Sequence, residues 1–154
     1  MDSQANDLID NFAARLAETA HQWRNMLDTR LGPLGLSQAR GLILHYLAIH
    51  GDGLKQNVLA DIVGIRGSTL VRQLDRLEAD GLVERHSDPD DRRAKTIHLA
   101  KKSAPIIVEL ERHIQELRRE LLSGLTDAQL EICFGVFDHV QARIDSNKEK
   151  ELQE

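Results

Sequence analysis

The sequence holds little of what staples a small fold or threads one through a membrane. Its single cysteine, Cys133, cannot form an intrachain disulfide and fits a reducing compartment, and counting gives no support to a redox role. Only Phe12, Trp23, Tyr46, Phe134 and Phe137 are aromatic, so a core must be built from Leu, Ile, Val and Ala. That favours packed helices and argues against a β-sandwich. No apolar run approaches membrane-spanning length, and Met1 to Asp10 carries Asp2, Asp7 and Asp10 without a Lys or Arg, unlike a signal peptide. The expected location is the cytoplasm, with no membrane partner. Gly-rich phosphate loops, nucleophile elbows and paired carboxylates are also missing, which argues against an enzyme. The seven histidines show no clustered ligand spacing, so no metal and no other cofactor is expected.

What is present is an ordinary globular composition, 41% apolar and 29% charged, which excludes disorder of the whole chain. The net charge of −5 is unevenly spread. From Gly53 to Lys102, 10 Lys/Arg stand against 8 Asp/Glu; elsewhere 10 stand against 17. A mildly basic middle inside an acidic remainder suits a protein that meets a polyanion with one face only.

Apolar residues at Leu8, Phe12, Leu16, Ala20, Trp23, Leu27 and Leu31 predict a first helix over residues 5–31, ended by Gly32 and Pro33. Leu36-Ser37 offers a cap for a second helix to about His50, closed by Gly51-Asp52-Gly53. A third helix is predicted from Lys55 to Val63 and a fourth from Gly67 to Asp80. Leu82 to His86 and Thr96 to Leu99 read as strands flanking the polar turn Ser87 to Lys95, a two-stranded hairpin. Ile107, Leu110, Ile114, Leu117 and Leu121 mark a fifth helix; Leu130, Cys133, Phe137, Val140 and Ile144 mark a sixth. Gly124 separates them, Thr126 and Gln129 form a capping box, and the tail is expected to fray after Asp145. Cys133, on the sixth stripe, is expected to be buried as a small hydrophobe. The fold class is therefore mainly α with a small two-stranded β-wing. A DNA-binding lobe spans 36–100, and residues 5–31 and 102–145 carry long apolar stripes that a second copy of the chain would cover.

Val58 to Leu77 has the make-up of a helix-turn-helix, with Ala60 for close approach, Gly64 for the turn, and Leu70, Leu74 and Leu77 for the inner face. Ser68, Thr69, Arg72, Gln73 and Arg76 are left facing outward. Short hydroxyls near a helix start suit phosphate contact, and Arg72 and Gln73 have the reach and donor pattern for base edges in a major groove. The neighbouring hairpin carries SDPDDRRAK, ending in Lys95 at its tip. An Asp two residues before an Arg can orient its guanidinium, and Arg93 on a thin ribbon can enter a minor groove.

These pieces, STLVRQLDRLEADGLVERH over Ser68 to His86 and DDRRAKTIHLAKKSAPII over Asp90 to Ile107, resemble the MarR family of winged-helix regulators, most of all its SlyA branch. The resemblance runs from about Trp23 to Leu125 and makes residues 1–154 a single MarR-like domain. It implies a homodimer with interlocked first and last helices on double-stranded DNA, with Ser68, Thr69, Arg72 and Gln73 in the major groove. Arg93 would enter the minor groove, held by Asp91. It further implies a regulator of transcription, a ligand-responsive repressor or anti-silencer on a pseudo-palindromic operator. The alternative is a winged-helix scaffold for other proteins. Ala100 departs from the usual threonine before the fifth helix, where Ser103 is expected to serve as cap. Family members resemble one another in an effector cleft for small aromatic or phenolic acids; Trp23, Arg24, His45 and Tyr46 are the candidates here, with Trp23 and Tyr46 equally suited to a core or dimer interface.

Overall fold

The first stripe forms a helix slightly longer than its spacing predicts. In the computed structural model, which describes residues 2–151 except 52 and 92, α1 runs Asp2–Leu31 and stops where Gly32 and Pro33 enter the 3-10 turn Gly32–Leu34. The Ser37 hydroxyl accepts the Arg40 N–H at 3.4 Å and so caps α2, Gln38–His50. The chain divides into two units, residues 1–117 and 118–154.

In the first unit, β1 (Leu54–Lys55) leads directly into α3 (Gln56–Val63), then α4 (Gly67–Ala79), β2 (Val83–Ser87) and β3 (Lys95–Leu99) follow. The sheet has three antiparallel strands in the order β1-β3-β2, not the expected two. Leu54 pairs with Ile97 and Lys55 with Thr96, so Lys55, expected as a helical residue, is a strand residue that also precedes the first turn of α3. Two residues are too few for alternation to register in a sequence; only the edge of β3 makes them a strand.

The core of this unit is aliphatic, as the scarcity of aromatics requires. Leu31, Ile43, Leu44, Leu59, Leu70, Leu74, Leu77, Ile97 and Leu110 are all fully buried. Gly41 lets α1 and α2 approach, since a Cβ there would collide with Leu31 Cδ1 and lie 3.3 Å from Leu110 Cδ1. Past β3, a 3-10 turn Lys101–Ser103 precedes α5, Ala104–Leu121. Ser103, expected as the cap of α5, is buried and donates its hydroxyl to the Ala100 carbonyl at 2.7 Å, closing the turn instead. Ile114 and Leu117, expected on a partner-facing stripe, are buried within the protomer.

In the second unit, α6 (Asp127–Glu151) starts at the expected capping box: Gln129 N–H donates to Thr126 Oγ1 at 3.3 Å and Thr126 N–H donates to Gln129 Oε1 at 2.9 Å. The helix continues to Glu151 and does not fray at Asp145. Asp145 itself supports it, accepting from Gln141 at 3.1 Å and facing Lys148 at 3.7 Å, one helical turn to either side. Cys133 is exposed, contrary to its expected burial, together with Ile132, Phe134, Phe137 and Ile144 on the same helix.

Candidate nucleic-acid interface

The geometry of the reading head begins at Gly64, whose φ of +73° places the chain where an L side chain is strained. Its N–H bonds back to the Ala60 carbonyl at 2.9 Å and ends α3, turning the chain into α4. Leu70, Leu74 and Leu77 of α4 are fully buried, each contributing on the order of 2 kcal/mol, and that inner face fixes which residues point out. Ser68, Arg72 and Arg76, spaced four apart, are exposed on the opposite face. Among the described residues neither Arg72 nor Arg76 has a carboxylate partner, so both guanidinium groups are available to an external anion. Thr69 is half-buried.

Gln73 differs from the outward placement expected of it. It is half-buried, and its Oε1 is withdrawn from solvent with no hydrogen-bond partner among the described residues. The cause is helical spacing: Gln73 is three residues after Leu70 and four before Leu77, on the flank of the buried stripe.

The wing is bound to this helix by Arg85 of β2, which forms ion pairs with Asp75 and, at 3.4 Å, with Glu78 on α4. Its last ladder pair is Ser87 with Lys95. Lys95, expected at the tip, therefore begins β3, with Nζ donating to Ser87 Oγ at 3.0 Å. Arg93 is exposed in the turn beyond. Asp91 does hold Arg93, but through the main chain: its Oδ1 accepts the Arg93 N–H at 2.9 Å, and its carbonyl accepts the Ala94 N–H at 2.9 Å. The guanidinium remains free of Asp91. The adjacent Arg92 lies outside the described residues.

Two residues of this region escaped sequence reasoning. Asp88 looks like another solvated charge of the SDPDD run, yet its side chain is only 3% exposed and its Oδ2 lies 2.8 Å from Nζ of Lys55 on β1. Its Oδ1 accepts the Asp90 N–H at 2.9 Å. The Lys55 ammonium, followed by the Asp90 N–H, holds the Asp88 carboxyl below the ordinary aspartate range, against the opposing effect of burial. Asp88 in turn raises the Lys55 ammonium above its ordinary value. The legible signal was Pro89, which marks the chain turning sharply just after an aspartate.

The four effector candidates are less coherent. Trp23 is half-buried and Arg24 exposed on α1; on α2, His45 is buried and Tyr46 half-buried, with ring centroids 5.4 Å apart. His45 Nδ1 lies 2.5 Å from Glu111 Oε1 on α5, a partner not anticipated. A cleft of about 490 Å³ near Leu36, Asp80 and Lys102 and another of about 370 Å³ beside the wing include none of the four. Among the described residues no group of three or more His, Cys, Asp and Glu is placed to hold a metal, and no helix is long and apolar enough to cross a membrane.

Comparison with known proteins agrees with this arrangement. The MarR family model matches residues 34–94, from the end of the 3-10 turn before α2 to the wing. The solved structure of the transcriptional regulator PA3341 is 41% identical, the match covering 88% of this chain and 98% of that one with a TM-score of 0.81. At the level of fold, S. aureus MepR in complex with DNA matches at 24% identity, covering 86% and 97% of the two chains, with a TM-score of 0.77. The transcriptional regulator SlyA matches at 18% identity, covering 89% and 96%, with a TM-score of 0.78. With a reading helix and wing in place, and with PA3341 alike over nearly all of both chains, this protein belongs to the MarR family of winged-helix, DNA-binding transcription regulators.

Proposed function

We propose that the chain binds a pseudo-palindromic operator as a homodimer in the cytoplasm and acts there as a ligand-responsive repressor or anti-silencer, with no catalytic activity. The observation that carries this reading is the pair of arginines on the exposed face of α4, Arg72 and Arg76, which have no carboxylate partner among the described residues, beside a wing that presents Arg93 and is tied to the same helix through Arg85. Ser68 and Thr69 at the start of α4 take backbone phosphates; Arg72 and the Gln73 amide nitrogen meet base edges in the major groove. Arg93 enters the minor groove, where charge and groove width are read, and Arg76 and Lys95 add phosphate contacts.

The dimer is supported by apolar surface that a lone chain leaves in water. Leu8 and Ile9 of α1 are each 74% exposed, and Ile132 of α6 is 70% exposed. Large side chains this exposed on two long helices support an interface with a second copy of the chain. Two reading helices about one DNA turn apart, roughly 34 Å, require an inverted repeat with half-sites about 10 bp between centres. A small aromatic or phenolic acid as effector is supported by the chemistry of Trp23, Arg24, His45 and Tyr46, which offer rings for stacking and a cation for a carboxylate.

Fluorescence anisotropy with operator and random duplexes, combined with sedimentation of the free protein, tests the reading. Salt-dependent binding by a species of twice the chain mass is expected. A monomer, or a protein indifferent to every duplex, would replace it with the winged-helix scaffold that docks other proteins. Quenching of Trp23, the sole tryptophan, by added aromatic acids tests the effector directly.

A further inference from the structure

The outer half of the wing is a thin arm. Pairing of β3 with β1 ends at Thr96, opposite Lys55, and pairing with β2 ends at Lys95, opposite Ser87. Beyond that point the backbone hydrogen bonds among the described residues are the arm's own, from the Asp88 N–H to the Ala94 carbonyl at 3.1 Å and within the Asp91 turn around Arg93. A cleft of about 370 Å³ is lined by Arg93 and Lys95 on one side and by Gln56 and Asn57 at the start of α3 on the other. A short two-stranded ribbon is only marginally stable by itself, so a contact beyond the sheet is needed to set its angle.

Asp88 is the residue immediately past the last ladder pair, and its buried carboxylate meets the Lys55 ammonium 2.8 Å away on β1. We propose that the Lys55–Asp88 ion pair is a latch that fixes the angle of the wing against the helix-turn-helix, making both residues positioning residues for Arg93 in DNA binding. The latch rests on the proposed role of Arg93 as a DNA contact. Lys55 is at the junction of β1 and α3, so the latch couples the arm to the first helix of the reading unit as Arg85 couples β2 to the second.

Charge alone and positioning predict opposite signs for one substitution. Asp88→Asn removes a negative charge from a DNA-binding lobe and, if only net charge mattered, would tighten binding. A latch predicts that it weakens binding. Lys55→Met weakens binding in either case, but a latch predicts that the loss disappears once Arg93 is gone. The test is a double-mutant cycle on duplex affinity with wild type, Lys55→Met, Asp88→Asn, Arg93→Ala and the two combinations with Arg93→Ala, with Lys55→Arg as the conservative rescue.

We expect Lys55→Met and Asp88→Asn each to weaken binding about 5- to 10-fold in the wild type and less than about 2-fold beside Arg93→Ala, with Lys55→Arg near wild type. Circular dichroism and thermal unfolding identify any variant that has lost its fold, and the cycle is then read from Lys55→Arg and the surviving member of the pair. Tighter or unchanged binding by folded Asp88→Asn, or equal losses from Lys55→Met in both backgrounds, would overturn the latch while leaving DNA binding intact. Failure of the unaltered protein to bind any duplex would overturn the DNA-binding reading and the latch with it.

Discussion

Replacing Arg93 by Ala removes an exposed cation from the wing without touching the core, and its effect on affinity can be worked from the cations of the interface. If Arg72, Arg76, Arg93 and Lys95 each bring one positive charge to the duplex and displace about one condensed counterion, a dimer displaces about eight, and log affinity falls against log salt with a slope of about −7. Arg93→Ala deletes about two of these contacts, so the slope becomes shallower by about 1.8. Between 50 and 200 mM salt that difference shrinks the defect of the variant about tenfold, large at low salt and small at high salt. Because minor-groove charge is read with little base discrimination, operator and random duplexes should lose affinity by similar factors. Anisotropy titrations at four salt concentrations on both duplexes supply the two slopes. Parallel lines for wild type and variant would show that Arg93 adds no charge to the interface and reduce the wing to a passive surface turn.

Arg72→Ala should act differently, losing about 1–3 kcal/mol on the operator and less on random duplex; equal losses would assign Arg72 to a phosphate. Leu74→Ala, at a fully buried position on the inner face of α4, should destabilise the fold by about 2–5 kcal/mol in urea unfolding, and a change under about 1 kcal/mol would contradict tight packing of that face. Acid should also loosen the wing. The Asp88 carboxyl titrates lower folded than unfolded, so its contribution is present above the ordinary value of 3.8 and is lost as pH falls below it. Wild type should therefore lose more stability than Asp88→Asn between about pH 5 and pH 2.5, and identical acid limbs would deny the ion pair its role.

Periodicity carried most of the fold, because helices with aliphatic stripes write their faces into the sequence at spacings of three and four. Leu70, Leu74 and Leu77 alone determine that Ser68, Arg72 and Arg76 point out, and Gly64 alone marks the turn before them. Thr126 and Gln129 determine where α6 begins, since a capping box is local chemistry. Tertiary structure decided whatever depends on a partner distant in the chain. Leu54 and Lys55 are a strand only because β3 lies beside them, and Ile114 and Leu117 are core only because of what the folded protomer brings over them. Gln73 sits on the border of a stripe, where spacing cannot say how far a long side chain is covered. Asp88 is the clearest case: its sequence neighbours are polar and suggest water, but Lys55, far back in the chain, removes it from water and neutralises it. A burial that depends on an ion pair between distant residues leaves no periodic trace, because no local pattern encodes which charge will meet which.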